Sequence, residues 1–315
     1  MKKLVKILAA ILVLVGVAVY FAWNPVAERI AQNALKEIAS KNKNIGWKGL
    51  KVSGSSVSVD SIEGWMPVKA HGSRFAVPIP FQLQSFVTRL PVFSLLTGSP
   101  KGEFSLKAYG GSINGDIEDL KTIPKLTLNV QGLKLFEYPI LQGFGVTSGT
   151  LDATTKALTL ETAQPPAGSF TVQVKELLVP QLPIALTKIP IPALPDVSLS
   201  AQGALSNQAG NHTTVVDSIS LTTHLLTAKG DLRFTMPSTA GNGTCEGEFK
   251  VALSEQGVSV LGSAITLVSA LANSPLPPGT QRFTLRITGT QAMRGCQLPK
   301  LPIGGWCVTA RYSST

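Results

Sequence analysis

The sequence predicts a mainly β fold. An N-terminal transmembrane helix and a juxtamembrane helix lead into an extended, curved antiparallel sheet, with one helix packed on it near the C-terminus. Three observations lead there. Residues 7–23 are uncharged and mostly apolar, and they follow Lys2, Lys3 and Lys6. From Trp47 onward, apolar and polar residues alternate between turn signals, the mark of an antiparallel meander. A helical period of apolar residues appears only at 25–42 and again at 256–273. The expected divisions are an anchor at 1–23, a juxtamembrane helix at 24–45, an antiparallel β domain at 46–295 and an irregular tail at 296–315.

The first segment reads as an anchor that stays attached. Seventeen residues are at the short end for a bilayer core of about 30 Å. They exceed a signal-peptide core of roughly 7–15 residues. The run ends in Tyr20, Phe21 and Trp23, with no small-residue cleavage pattern after it. Bulky aromatics of this kind sit at membrane interfaces, and lysines before the segment place the N-terminus in the cytoplasm. The body after Asn24 is then expected outside the membrane, tethered to it. Pro25 suits a helix start. Val26, Ile30, Ala34, Leu35 and Ile38 keep helical spacing up to the polar stop at Lys41–Asn44.

The strands follow by their two-residue period. Leu50, Val52, Val57 and Val59 alternate with Lys and Ser. Residues 62–67 read as a turn with apolar edges. Phe75–Phe81 is broken by Pro78 and Pro80, which confines it to an edge strand or a loop. Residues 82–96 fit a strand and turn or a short helix. Phe104, Leu106 and Ala108 lead into Gly110-Gly111, a two-residue hairpin turn with positive φ available, and 112–117 return. The alternation continues at Leu126–Leu135, Leu151–Leu160, Phe170–Val174, Leu199–Ala201, Ile219–Leu221, Leu232–Phe234, Phe249–Leu253 and Phe283–Ile287. The proline-rich 180–195 cannot be a central strand and reads as an extended edge or an apolar loop. Val258, Leu261, Ile265, Val268, Leu271 and Ala272 fit a helix lying on a sheet. One apolar and one hydroxyl-rich face per strand describes a sheet with one wet side. Two architectures satisfy it: a sandwich that covers itself, or a curved half-pipe with an open apolar face.

Composition narrows the function. Charged residues are 15% of the chain, against about a quarter in an ordinary globular protein. The net charge is +10, but the basic residues are scattered, with no Arg-rich run or basic patch interleaved with aromatics, so nucleic acid is not the expected partner. Cys245, Cys296 and Cys307 leave at least one thiol unpaired, and their spacing fits no zinc pattern. His71, His212 and His224 lie in no metal-binding spacing. No G-x-S-x-G elbow and no P-loop occurs, and the glycines read as turn residues. Asp116, Glu118 and Asp119 cluster after the hairpin and read as a solvated turn. Asn211-His212-Thr213 and Asn242-Gly243-Thr244 match a glycosylation pattern that is frequent by chance. No catalytic, cofactor-binding or metal residue is expected, and no cofactor.

The order of several motifs resembles a known family. Phe93-Ser-Leu-Leu-Thr-Gly98 is followed by Phe104-Ser-Leu-Lys-Ala-Tyr-Gly-Gly111 and Gly115. Pro139-Ile-Leu-Gln-Gly143 precedes Gly149-Thr-Leu151, and Lys229-Gly-Asp-Leu232 precedes Phe283-Thr-Leu-Arg-Ile-Thr-Gly289. Over roughly residues 1–295 this resembles the type II secretion system protein N family in its longer, deltaproteobacterial form. The Tyr-Gly-Gly style recurs in AsmA-like envelope proteins. The proline-rich 180–195 and the tail after Gly295 depart from the pattern. The resemblance implies a non-enzymatic inner-membrane protein with a periplasmic body, assisting transport of folded proteins across the outer membrane. Its partners would be the inner membrane and other secretion-system envelope proteins. The alternative is an AsmA-like lipid-binding or lipid-transfer protein with phospholipid in an apolar groove.

Overall fold

A computed structural model describes residues 29, 32–33, 36, 45–53, 56–69, 76–89, 101–119, 123–159, 166–183, 190–191, 193–208, 211–237, 242–291, 301–303 and 306–314. The expected anchor, 1–23, lies outside them. Among the described residues no helix is long and apolar enough to cross a membrane. Arg29, Gln32, Asn33 and Lys36 are helical. Their spacing of three, four and seven puts them on one helix face, the polar complement of the apolar positions expected for that segment.

The rest is mainly strand and antiparallel throughout. Backbone contacts divide the chain into two compact units. One takes residues up to Ala108 with Ile113–Lys121; the other takes Tyr109–Ser112 with Thr122–Thr315. The division falls inside the single β domain expected for 46–295.

The first unit is built on β3 (Ser56–Lys69) and β4 (Ala76–Arg89), paired over almost their whole lengths. Short strands β1 (Ile45–Lys48) and β2 (Lys51–Ser53) share the outer side of β3. On the other side of β4 lies β5 (Gly102–Ala108), then β6 (Gly111–Glu118). Residues 62–67 are not the expected turn but the middle of β3. Pro78 and Pro80 do lie in a strand, and the reason is local. Partners on β5 begin only at Gln84, so among the described residues the prolines have no strand partner on that side, where a missing N–H breaks no ladder. The residues expected as strand and turn or helix after Gln82 continue β4 to Arg89.

In the second unit the strand order is β7 (Lys125–Lys134), β8 (Thr150–Thr159), β9 (Ala167–Val179), β12 (Leu194–Gln208), β13 (Asn211–Thr222), β14 (Leu226–Pro237), β15 (Thr244–Leu253), β16 (Arg282–Gln291), β18 (Trp306–Ser314) and β17 (Leu301–Ile303). Among the described residues its ends are not paired with each other, so this run is an open sheet. The proline-rich segment leaves the sheet: β10 (Leu182–Pro183) and β11 (Pro190–Ile191) pair only with each other. The C-terminal segment corrects the expectation of an irregular tail. β18 pairs with β16 from Trp306 to Ser314, because Val308, Ala310 and Tyr312 continue the alternation that Pro and Gly punctuation hides upstream.

Between β15 and β16 runs α2 (Glu255–Leu271), the expected helix. The other described α-helix of the second unit is the single turn α1 (Pro139–Gly143), after a 3-10 turn at Leu135–Glu137. Ser254 caps α2, its Oγ accepting from Gly257 N–H at 2.9 Å, which satisfies one of the open donors of the first turn. Leu261 of α2 joins Leu225, Leu253, Leu276 and Phe283 in the core, with Val258, Ile265 and Tyr312 packed around them. Ser269, fully buried, donates to Thr266 O at 2.8 Å and accepts from Leu276 N–H at 3.0 Å. That bond fixes the chain as it leaves the helix.

Candidate functional surface

Directly opposed residues in an antiparallel ladder point to the same face, so the register shows what each face carries. One row of the second unit reads Leu133, Leu151, Val174, Leu199, Leu221, Ala228, Val251 and Phe283 from β7 to β16. The next reads Val130, Ala153, Val172, Ala201, Ile219, Gly230, Phe249, Leu285 and Tyr312, ending on β18. A third passes from Phe170 through Gly203, Val216, Leu232 and Gly247 to Ile287 and Ala310. One apolar row thus runs from β7 to β18 and another from β7 to β16. The core around α2 covers one end. From β7 to β13 most of these side chains are half-buried and not sealed.

Glycines inside the strands shape this face. A Cβ on Gly230 would meet the Glu248 carbonyl oxygen and come within 2.7 Å of Phe249 Cδ1. On Gly247 it would come within 2.9 Å of Leu232 Cδ1, and on Gly289 within 2.7 Å of Cys245 Sγ. Large side chains therefore lie down across the neighbouring strand's glycine and shield part of the sheet with the sheet's own atoms. This corrects the reading of the glycines as turn residues. A sequence signal existed: each of the three sits in the apolar phase of its strand, two residues from a large hydrophobe.

The opposite face is charged. Arg286 Nε lies 2.7 Å from Glu248 Oε2, and Arg233 Nε lies 3.9 Å from Glu246 Oε1. With Asp217 and Asp231 they line a pocket of about 590 Å³. The two glutamates are paired with arginines, so ion pairs line the pocket.

The Tyr-Gly-Gly hairpin has a structural role. Its turn is Tyr109-Gly110, with φ of 45° and 68°, one residue earlier than the Gly110-Gly111 expected. Gly111 follows because a Cβ there would lie 2.5 Å from Gln131 O. Lys134 N–H donates to Tyr109 O at 2.8 Å. The Tyr109 ring meets Tyr138 edge-on, centroids 5.3 Å apart. Lys134 also pairs with Glu137 at 3.2 Å. Close by, Gly132 bulges out of β7 with φ 62°, and its N–H donates to Asp152 Oδ1 at 2.8 Å. Lys175 reaches the other oxygen at 3.2 Å.

That bulge clamp titrates. The Gly132 N–H holds the Asp152 carboxyl below the ordinary carboxylate range; partial burial opposes this and Lys175 adds to it. A depressed folded-state value gives stability that is present above the unfolded value of about 3.9 and is lost as pH falls through the folded one. The side chain is over a third exposed, so the contribution is under about 1 kcal/mol. Asp152→Asn is expected to flatten the stability profile below about pH 4 and to leave its shape above that unchanged. Urea titrations at a series of pH values measure it.

The residues considered earlier are not brought together. His71 lies outside the described residues. His212 Nδ1 is 2.8 Å from Asn207 Oδ1, and His224 is an exposed turn residue whose carbonyl accepts from Ser254 Oγ. Glu118 pairs with Lys101 at 2.6 Å, while Asp116 is exposed. Cys307 is disulfide-bonded, and Cys245 is free and buried, its thiol pushed up by burial. No group of three His, Cys, Asp or Glu able to hold a metal occurs among the described residues. No family model, curated protein or solved structure matches this chain. The surface is therefore described by its physics alone: a wet, charge-paired face and a half-open apolar one.

Proposed function

We propose that the chain is a membrane-anchored component of the type II protein secretion system. Residues 1–23 would hold it in the inner membrane, and its β body would lie in the periplasm. The reading assigns it no catalytic step. Its main support is the Tyr109–Gly111 turn. The motif by which the chain resembles the type II secretion protein N family falls where the backbone needs positive φ and a missing Cβ. The disulfide at Cys307 agrees with an oxidising compartment.

The half-buried apolar rows favour a second reading: an AsmA-like protein that holds acyl chains along positions such as Leu128, Val130 and Val172. A single experiment separates the two. Photo-crosslinking probes are placed on exposed strand positions and the products are captured from intact cells. Recovery of a secretion-pore or pseudopilus-platform subunit is the expected result. Recovery of phospholipid alone would overturn the secretion reading in favour of the second. A protein found free in the periplasmic fraction would contradict the anchor on which both depend.

A further inference from the structure

Neighbouring strands of the second unit carry one row of charged residues on the wet face. Asp231 on β14 is directly opposite Glu248 on β15. Glu248 is opposite Arg286 on β16, and Arg286 is opposite Arg311 on β18. Directly opposed side chains share a face, so the row reads acidic, acidic, basic, basic. Asp231, Arg286 and Arg311 are exposed and Glu248 is half-buried.

That order is unfavourable within one chain. The central pair joins opposite charges, with Arg286 Nε 2.7 Å from Glu248 Oε2. The two outer pairs, Asp231 with Glu248 and Arg286 with Arg311, set like charges directly opposite each other, which destabilises a ladder. A surface meeting the row with the reverse order of signs would offset both repulsions.

The chain itself supplies such a surface. A second copy is turned about a two-fold axis that runs along the strands, between β15 and β16. Its row then lies over the first in reverse order. Asp231 faces Arg311 of the second copy and Glu248 faces its Arg286, and each contact occurs twice, as two-fold symmetry requires. A two-fold axis along the row would bring like charges together, so a single orientation is selected. The flanking rows raise no conflict. Lys229 and Lys250 lie over Ser313 and Thr284 of the second copy, and Arg233 and Glu246 lie over its Thr309 and Thr288.

We propose that two copies of this chain pair through the charged face of β14, β15, β16 and β18, with this row setting the register. Four strands at their usual spacing are about 19 Å across and ten residues of strand are about 33 Å long, roughly 600 Å² of each copy. About 1,200 Å² in all is the low end for a specific interface, so the pair is weak and sensitive to salt. The hollow over the row, about 590 Å³, leaves room for bridging water. The pairing does not depend on the secretion reading.

The test is sedimentation equilibrium of the full chain in an uncharged detergent. Wild type is expected to dimerise with a micromolar Kd at about 0.05 M salt and to weaken as salt rises to about 0.5 M. Asp231→Arg alone and Arg311→Asp alone each place like charges face to face, and each is expected to weaken the dimer about tenfold or more. Within one chain each change turns a like-charge pair into an attractive one, so neither is expected to lower the urea midpoint. An equal mixture of the two variants restores every facing pair, as does the double variant with itself, and both are expected to regain wild-type affinity. Wild type that stays monomeric at about 100 µM would overturn the proposal. Single variants that associate as wild type does would place the contact elsewhere, the anchor included, and would overturn it too. So would a mixture that fails to regain affinity.

Discussion

Phe283→Ala is expected to lower stability by about 3–5 kcal/mol, the usual cost of emptying a buried aromatic site. Phe283 is 4% exposed and lies where β16 meets α2, in one cluster with Leu225, Leu253, Leu261 and Leu276. Its ring also sits 5.9 Å from that of Tyr312 on β18. Removing it opens a cavity that the surrounding strands cannot close, because the ladder fixes their spacing. Phe283→Leu keeps most of the volume and is expected to recover much of the loss. Urea midpoints of the full chain, followed by tryptophan fluorescence, decide the matter. A Phe283→Ala midpoint equal to wild type would mean that α2 does not seal this end of the sheet.

Alanine at Gly230 and at Gly262 should act in opposite directions. At Gly230 the new Cβ meets the Glu248 carbonyl and the Phe249 ring. The ring can turn aside, but the carbonyl belongs to the paired strand and cannot. Overpacking of this kind costs about 1–3 kcal/mol. At Gly262, in the middle of α2, the nearest atom outside the helix backbone is Val258 Cγ1 at 3.8 Å. There alanine only removes glycine's helix penalty, a gain of up to about 1 kcal/mol. Opposite shifts of the urea midpoint are the expected pair. Equal shifts would show that the close contact at Gly230 is relieved without cost.

The two-residue period made much of the fold legible. Phe283, Leu285 and Ile287 mark β16, and Phe249, Val251 and Leu253 mark β15, because one face of each is buried and the other is wet. α2 was legible for the corresponding reason at a period of 3.6. What escaped was structure that tolerates residues usually read as breaks. Residues 62–67 signal a turn, yet they lie within β3, where Pro67 falls beyond the last partner on β1. Gly230 and Gly247 signal loops, yet they are seats for Phe249 and Leu232. The Tyr109 turn was placed one residue off because Gly110-Gly111 looks like the better positive-φ pair; only the approach of Gln131 to Gly111 shows why glycine is needed there. The apolar rows themselves cannot be read strand by strand. They exist only once bulges such as that between Gln202 and Gly203 have set the register.

The pairing order of the second unit has a consequence for how such a chain is made and how it changes. β13, β14 and β15 each pair with the strand before and the strand after in sequence. Pairing there joins consecutive strands, so each hairpin can form against the last as the polypeptide emerges, without waiting for a distant segment. Stability is shared between nearest neighbours, as in repeat arrays. A hairpin gained or lost in the middle alters the width of the sheet and leaves the other pairings intact. The breadth of the apolar face is thus a quantity that evolution, or an engineer, can adjust in steps of two strands.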